Sequence, residues 1–185
     1  MLLGLICMGP SSGYGLKRAF STTPLGVYQP SSGALYPALA RLAGKGLIQR
    51  QRPAEPAEPG RRRYVYDATP EGRTANMIWI REPVRPETVS RDLGLHLLRF
   101  VMMEALLSKD EVLAWLQDLI DALSIFVGGI ERHRTAMLAG PSHAILALDH
   151  GIAVQRASLA WARGTWEMIA TAPPERRALL GGPTA

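Results

Sequence analysis

The sequence predicts a mainly α protein with one small β-hairpin, laid out as a winged helix-turn-helix followed by a C-terminal helical region. Three observations in the 185-residue chain carry that reading. A capped helix with a basic edge lies between Pro30 and Gly46. Two short strand-forming runs follow, parted by a proline-rich break, and a second capped helix opens at Thr69-Pro70. Up to Ile80 there are ten Lys and Arg against four Asp and Glu, so this part holds +6 of a chain whose net charge is +5.

Each element has a local reason. Leu2 to Met8 reads as a first helix stopped by Gly9-Pro10. Ser11 or Ser12 can cap a second helix running through Tyr14, Leu16, Lys17 and Phe20. Residues 21–29, with Pro24 and Gly26, read as a turn-rich connection. The third helix starts at Ser31 or Ser32. Leu35, Leu39 and Leu42 form its apolar stripe, while Tyr36, Arg41 and Lys45 leave that stripe. Pro37 crowds the carbonyl of Gly33, whose missing side chain lets the first turn loosen, and Gly46 supplies the stop.

Residues 47–52 and 61–67 read as strands, and Pro53, Pro56, Pro59 and Gly60 confine the stretch between them to a loop. Thr69 is an N-cap, Pro70 suits the first helical position and Glu71 complements the dipole of a helix running to about Ile80. The organisation expected is a winged helix-turn-helix over 1–80, a linker over 81–90, a helical region over 91–172 and a frayed tail over 173–185. Within the helical region, Ser108 and Glu111 form a capping box and Ser142 caps the last helix.

Composition removes several function classes. Hydrophobic residues make up 47% of the chain, enough for a packed core. The single cysteine, Cys7, allows no intrachain disulfide and fits a reducing compartment; its apolar setting predicts a buried, inert thiol. No apolar run reads as long and charge-free enough to span a bilayer, so a cytoplasmic protein without membrane partners is expected. Gly9 to Gly13 lacks the lysine of a nucleotide loop. His96, His133, His143 and His150 fall in no metal-ligand pattern, and no serine or cysteine has a spaced base and orienting acid. Neither a metal, a cofactor nor an enzymatic activity is expected. What remains is a basic head matched to phosphate.

The chain resembles the PadR-like transcriptional regulators. The resemblance is carried by Leu3-Gly4-Leu5, Gly9-Pro10, Gly13-Tyr14, the run Ser31 to Leu39 with Arg41-Leu42, Gly46-Leu47-Ile48, Arg62-Arg63-Tyr64 and Thr69 to Arg73. It covers roughly the first 80 residues. The later helices are similar only in pattern to a C-terminal helical dimerisation region.

The resemblance implies a homodimeric repressor that binds double-stranded DNA as an inverted repeat and can respond to a small effector. It places Tyr14 and Lys17 on a supporting helix, and Ser31, Ser32, Gly33, Tyr36, Pro37 and Arg41 on the recognition helix. Arg61, Arg62 and Arg63 fall at the base of the wing. Three features depart from the family pattern. The chain begins close to its first motif, so an incomplete first helix is expected; Gly15 follows Tyr14 where an acid is common; and the wing tip bears Glu55 and Glu58.

The residues leave alternatives open. Arg61 to Arg63 alternate across a strand, so not all three can meet DNA. Ser31 and Ser32 can cap and contact phosphate together. Tyr36 is read as a DNA contact ahead of a packing role. Bulky aromatics most often pack cores, but Trp79 and Trp115 are candidates to line a slot for a small apolar or aromatic effector. The acidic wing tip also suits a winged helix that binds protein without touching DNA.

Overall fold

A computed structural model describes residues 1–22, 31–51, 64–137, 140 and 142–172. The chain forms two compact units, Met1–Glu82 and Pro83–Ala185. The first contains α1 (Leu2–Met8), β1 (Ser11–Ser12), α2 (Gly13–Thr22), α3 (Ser32–Gly44), β2 (Ile48–Gln51), β3 (Val65–Ala68) and α4 (Pro70–Arg81). Three α-helices make up the second: α5 (Pro86–Leu106), α6 (Lys109–Ala136) and α7 (His143–Thr171).

The expected hairpin is a three-stranded antiparallel sheet in the order β1-β3-β2. Tyr66 in the central strand pairs with Arg50 on one side and Ser11 on the other. Ser11 and Ser12, expected only as caps, therefore also form an edge strand. Ser12 keeps the capping role as well, its Oγ accepting the Gly15 N–H at 3.0 Å. Arg61, Arg62 and Arg63 lie outside the described residues, as do Glu55, Glu58 and the 23–30 connection.

The core of the first unit gathers Ile6 and Cys7 of α1, Leu16 of α2, Leu35 and Leu39 of α3, Ile48 of β2 and Tyr66 and Ala68 of β3. Leu42 completes the α3 stripe against that cluster. The end of α3 is a Schellman turn: Leu47 N–H donates to Leu42 O at 3.0 Å and Gly46 N–H to Ala43 O at 2.9 Å. This turn puts Gly46 at φ 68°, where a side chain would be strained.

One residue later the chain meets α4. Leu47 O accepts the Thr69 N–H at 3.1 Å. Thr69 Oγ1 donates to Gly46 O at 2.6 Å and accepts the Gly72 N–H at 3.0 Å. Gly72 packs directly on the Leu47 carbonyl, in space that a Cβ would need.

The stretch expected as a linker holds little free chain. α4 ends at Arg81, and α5 begins at Pro86 with Glu87 in its first turn. Proline at the first helical position opens a helix rather than breaking it.

In the second unit, α6 packs against both α5 and α7. Its capping box is complete: Ser108 Oγ accepts the Glu111 N–H, and the Glu111 carboxylate accepts the Ser108 N–H at 2.9 Å. A series of polar ties sets α6 antiparallel to α7. Arg134 meets Asp149 at 2.7 Å, Arg156 meets Glu131 at 2.6 Å, and Arg163 donates to Ser124 Oγ at 3.3 Å. At the far end Lys109 Nζ donates to Ala170 O and Ala172 O, placing a cation on the C-terminus of α7.

Contrary to expectation, α6 is long and apolar enough to cross a membrane by length and composition alone. Asp118 and Asp121 on its exposed side, and its packing on two neighbours, are features of the middle helix of a bundle.

Two outcomes follow from this packing. Gly72→Ala forces the Leu47 backbone aside, and a loss of roughly 1–3 kcal/mol in urea unfolding of the N-terminal unit is expected. Cys7 is buried, and burial pushes its thiol above the usual range, more than nearby Arg73 draws it down. The folded state therefore holds less thiolate at pH 8 than the unfolded state. Iodoacetamide at that pH is expected to label Cys7 only after denaturation, as read by mass spectrometry.

Candidate nucleic-acid interface

Helix α3 divides sharply into two faces. Leu35 and Leu39 are buried, whereas Ser31, Gly33, Ala34, Tyr36, Pro37, Ala40, Arg41 and Lys45 are exposed. The outward surface is made almost entirely of residues too small to hold another body away, with one aromatic ring and basic side chains rising from it. Such a surface allows a helix backbone to approach closely, as entry to a groove requires.

The start of α3 differs from a capped terminus. Ser31 occupies the cap position, and its carbonyl accepts from Ala34 N–H and Leu35 N–H at 2.9 and 3.0 Å, but its side chain makes no capping bond. Ser32 begins the helix; its side chain lies outside what the structure describes. Pro37 has no N–H to give to the Gly33 carbonyl, and both residues are exposed, so water can reach that oxygen.

Helix α2 lies beside this surface. Tyr14 is 61% exposed, and Lys17 and Arg18 are exposed on the same helix. The Tyr36 ring, itself 56% exposed, sits over Gly13 in the first turn of α2. Tyr14, Lys17, Gly33, Tyr36, Pro37 and Arg41 thus all stand at the protein surface.

The base of the wing offers a cation that sequence reasoning missed. Arg50 of β2 holds its guanidinium 4.2 Å from the centroid of the Tyr64 ring. The register pairs Arg50 with Tyr66, so Tyr64 is its diagonal neighbour across the strands. Strand pairing was the only signal that could have revealed this stacking.

One cation of the basic head is engaged within the fold although its side chain is half exposed. Arg73 ties three elements of the fold together, donating to Cys7 O at 3.3 Å and to Asp67 Oδ1 at 3.0 Å. Asp67 also accepts the Ala68 N–H at 2.8 Å.

Trp79 and Trp115 stand on different units. Trp79 is half-buried on α4. Trp115 on α6 is 5% exposed within an aromatic group. Phe100 stacks on it at 6.2 Å between centroids and meets the edge of Trp161 at 5.5 Å. The His96 ring lies 6.3 Å away, and the Arg99 guanidinium 5.6 Å over the indole. Among the described residues, no group of three or more His, Cys, Asp and Glu is placed to hold a metal ion.

Residues 2–76 match the family model of the transcriptional regulator PadR-like family. The matched stretch lies within the N-terminal unit. Among solved structures the chain is similar to Bacillus subtilis PadR in complex with operator DNA, with 21% identity over 91% of this chain and 96% of that one and a TM-score of 0.41. It is similar to the same protein in complex with p-coumaric acid, with 22% identity over 91% and 96% and a TM-score of 0.39. It also aligns with the Vibrio cholerae virulence activator AphA, with 21% identity over 92% and 96% and a TM-score of 0.34. No curated protein matches the sequence.

The PadR-like motifs divide by physical role. Gly46-Leu47-Ile48 and Thr69 to Arg73 build the junction between sheet and α4. Leu35, Leu39 and Leu42 hold α3 to the core of the N-terminal unit. Gly33, Tyr36, Pro37 and Arg41 are left on the surface by that packing.

Proposed function

We propose that this chain is a cytoplasmic, DNA-binding transcriptional repressor rather than an enzyme, reading an inverted-repeat operator as a homodimer. The observation that carries the reading is the outward face of α3. Gly33, Tyr36, Pro37 and Arg41 are exposed there, while the leucines of the same helix are buried. Tyr14 and Lys17 on α2 and Arg50 at the wing base add exposed donors and cations suited to phosphate. The match of residues 2–76 to a family of transcriptional regulators supports DNA as the partner of that surface. Ser31 and Ser32 at the helix start, and Arg61, Arg62 and Arg63, are assigned to the same interface.

A homodimer through the C-terminal helices is supported by α7. Val154, Trp161 and Met168 are exposed, apolar and seven residues apart, so they fall on one stripe. A two-fold pair of heads would place the half-sites about one DNA turn apart. A small apolar or aromatic effector would release the operator by altering the spacing of the heads; Trp79 and Trp115, on different units, are separate candidates to contact it.

The first test is fluorescence anisotropy of a labelled duplex carrying the protein's own upstream region. Tyr36→Ala and Arg41→Ala are each expected to weaken binding roughly tenfold. If the dimer covers ~6–8 phosphates, log K falls with log salt at a slope of roughly −5 to −7. Unchanged affinity in both variants removes α3 from the interface, and weak, salt-independent binding favours a protein partner instead. The second test is mass by light scattering. Val154→Glu places a charge within the apolar seam and is expected to give a monomer; an unchanged dimer mass excludes that stripe.

A further inference from the structure

The first residue of α2 is a glycine whose backbone does not require one. The left-handed region is reached by Gly46, not by Gly13. At a helical position alanine is ordinarily the more favourable residue. Gly13 is nevertheless buried, and what covers it is the ring of Tyr36 from α3. A Cβ at Gly13 would lie 2.9 Å from Tyr36 Cε1 and 3.3 Å from both Cζ and Oη. One side of an otherwise exposed tyrosine is thus seated on bare backbone.

We propose that Gly13 is a positioning residue: it provides a flat seat that holds the Tyr36 ring in one orientation before DNA arrives. This rests on the reading of α3 as the DNA-contacting helix and names a determinant of its affinity on a different helix. An unrestrained tyrosine on a protein surface loses rotamer freedom when a partner fixes it. Seating the ring in the free protein removes part of that cost in advance. A methyl group at Gly13 closes the seat, because the crowded atoms are the middle and tip of a rigid ring that can only swing away. The hydroxyl then leaves the position from which it would reach the duplex. The folded unit loses little, since the ring moves from partial exposure to fuller exposure and the helix gains alanine.

The experiment is a double-mutant cycle on the full chain: wild type, Gly13→Ala, Tyr36→Ala and the double variant. Each is titrated by anisotropy against the labelled upstream duplex and melted by circular dichroism. Gly13→Ala is expected to lower affinity roughly three- to tenfold with an unchanged or raised Tm. In the Tyr36→Ala background the same change is expected to have no further effect. A nuclear Overhauser contact between the Gly13 Hα and Tyr36 ring protons, present in wild type and lost in Gly13→Ala, reads the seat directly. Wild-type affinity in Gly13→Ala overturns the proposal, as does an affinity loss that persists undiminished in the absence of the Tyr36 ring. A missing Overhauser contact in wild type overturns it on structural grounds. Failure of the wild-type chain to bind any duplex overturns the DNA reading itself, a result distinct from binding without coupling.

Discussion

The N-terminal unit depends on one carbonyl, that of Leu47. It accepts the Thr69 N–H and rests against Gly72, while the neighbouring Gly46 carbonyl takes the Thr69 hydroxyl. Thr69 caps α4 through the same oxygen that it donates to Gly46. A helix end, a strand start and a helix start are thus joined within a few ångströms, through one threonine hydroxyl and backbone groups that must find partners when removed from water. The geometry works only because Gly46 accepts a left-handed conformation and Gly72 has no side chain. These two glycines fix the direction in which α3 leaves the sheet, and with it which α3 residues face out.

The neighbouring segment shows why a count of cations does not by itself give the phosphate contacts. Arg73 belongs to the same Thr-Pro-Glu-Gly-Arg segment, and its guanidinium spans from α1 to β3. Charge counting assigns it to the phosphate-matched total, whereas its geometry assigns it to the fold. Arg50 is the reverse: its place in an unremarkable strand gives no sign of function, yet stacking on Tyr64 holds an exposed guanidinium in position. The number of cations sets the long-range attraction of the head. Which of them contact a ligand is decided by pairing partners that only the three-dimensional register brings together.

The sequence was most legible where a residue type has one dominant physical use. The leucine stripe of α3, the Thr69-Pro70 start, the Gly46 stop and the Ser108–Glu111 box are of that kind, and each is found where the spacing put it. The outward placement of Tyr36, Arg41 and Lys45 followed from the same stripe. The rest was hidden where one residue serves two ends. Ser11 and Ser12 read as caps because a two-residue strand has no alternation to detect. Pro83 and Pro86 read together as a linker, although only Pro86's place at the opening of α5 mattered. Gly13 has no local reason within its Gly13-Tyr14 motif, because its reason is a ring 23 positions away.

The C-terminal unit shows how a local disadvantage can serve a distant partner. A lysine at the first residue of a helix opposes the dipole of that helix. Lys109 sits there on α6, yet its ammonium group reaches the last carbonyls of α7, where a cation is favourable. With Arg134–Asp149 near the opposite end, the two long helices are pinned at both extremities. An apolar pair could otherwise slide by a turn, because leucine packs on leucine in several registers. The polar ties remove that freedom and so fix which side of α7 faces away from α6. Single exposed apolar residues are ordinary on a soluble surface, but Val154, Trp161 and Met168 recur at the seven-residue interval. On its inner side α7 buries Ile152, Leu159 and Ala162, flanked by the polar ties; on its outer side it keeps the period by which a second helix can pack along its length.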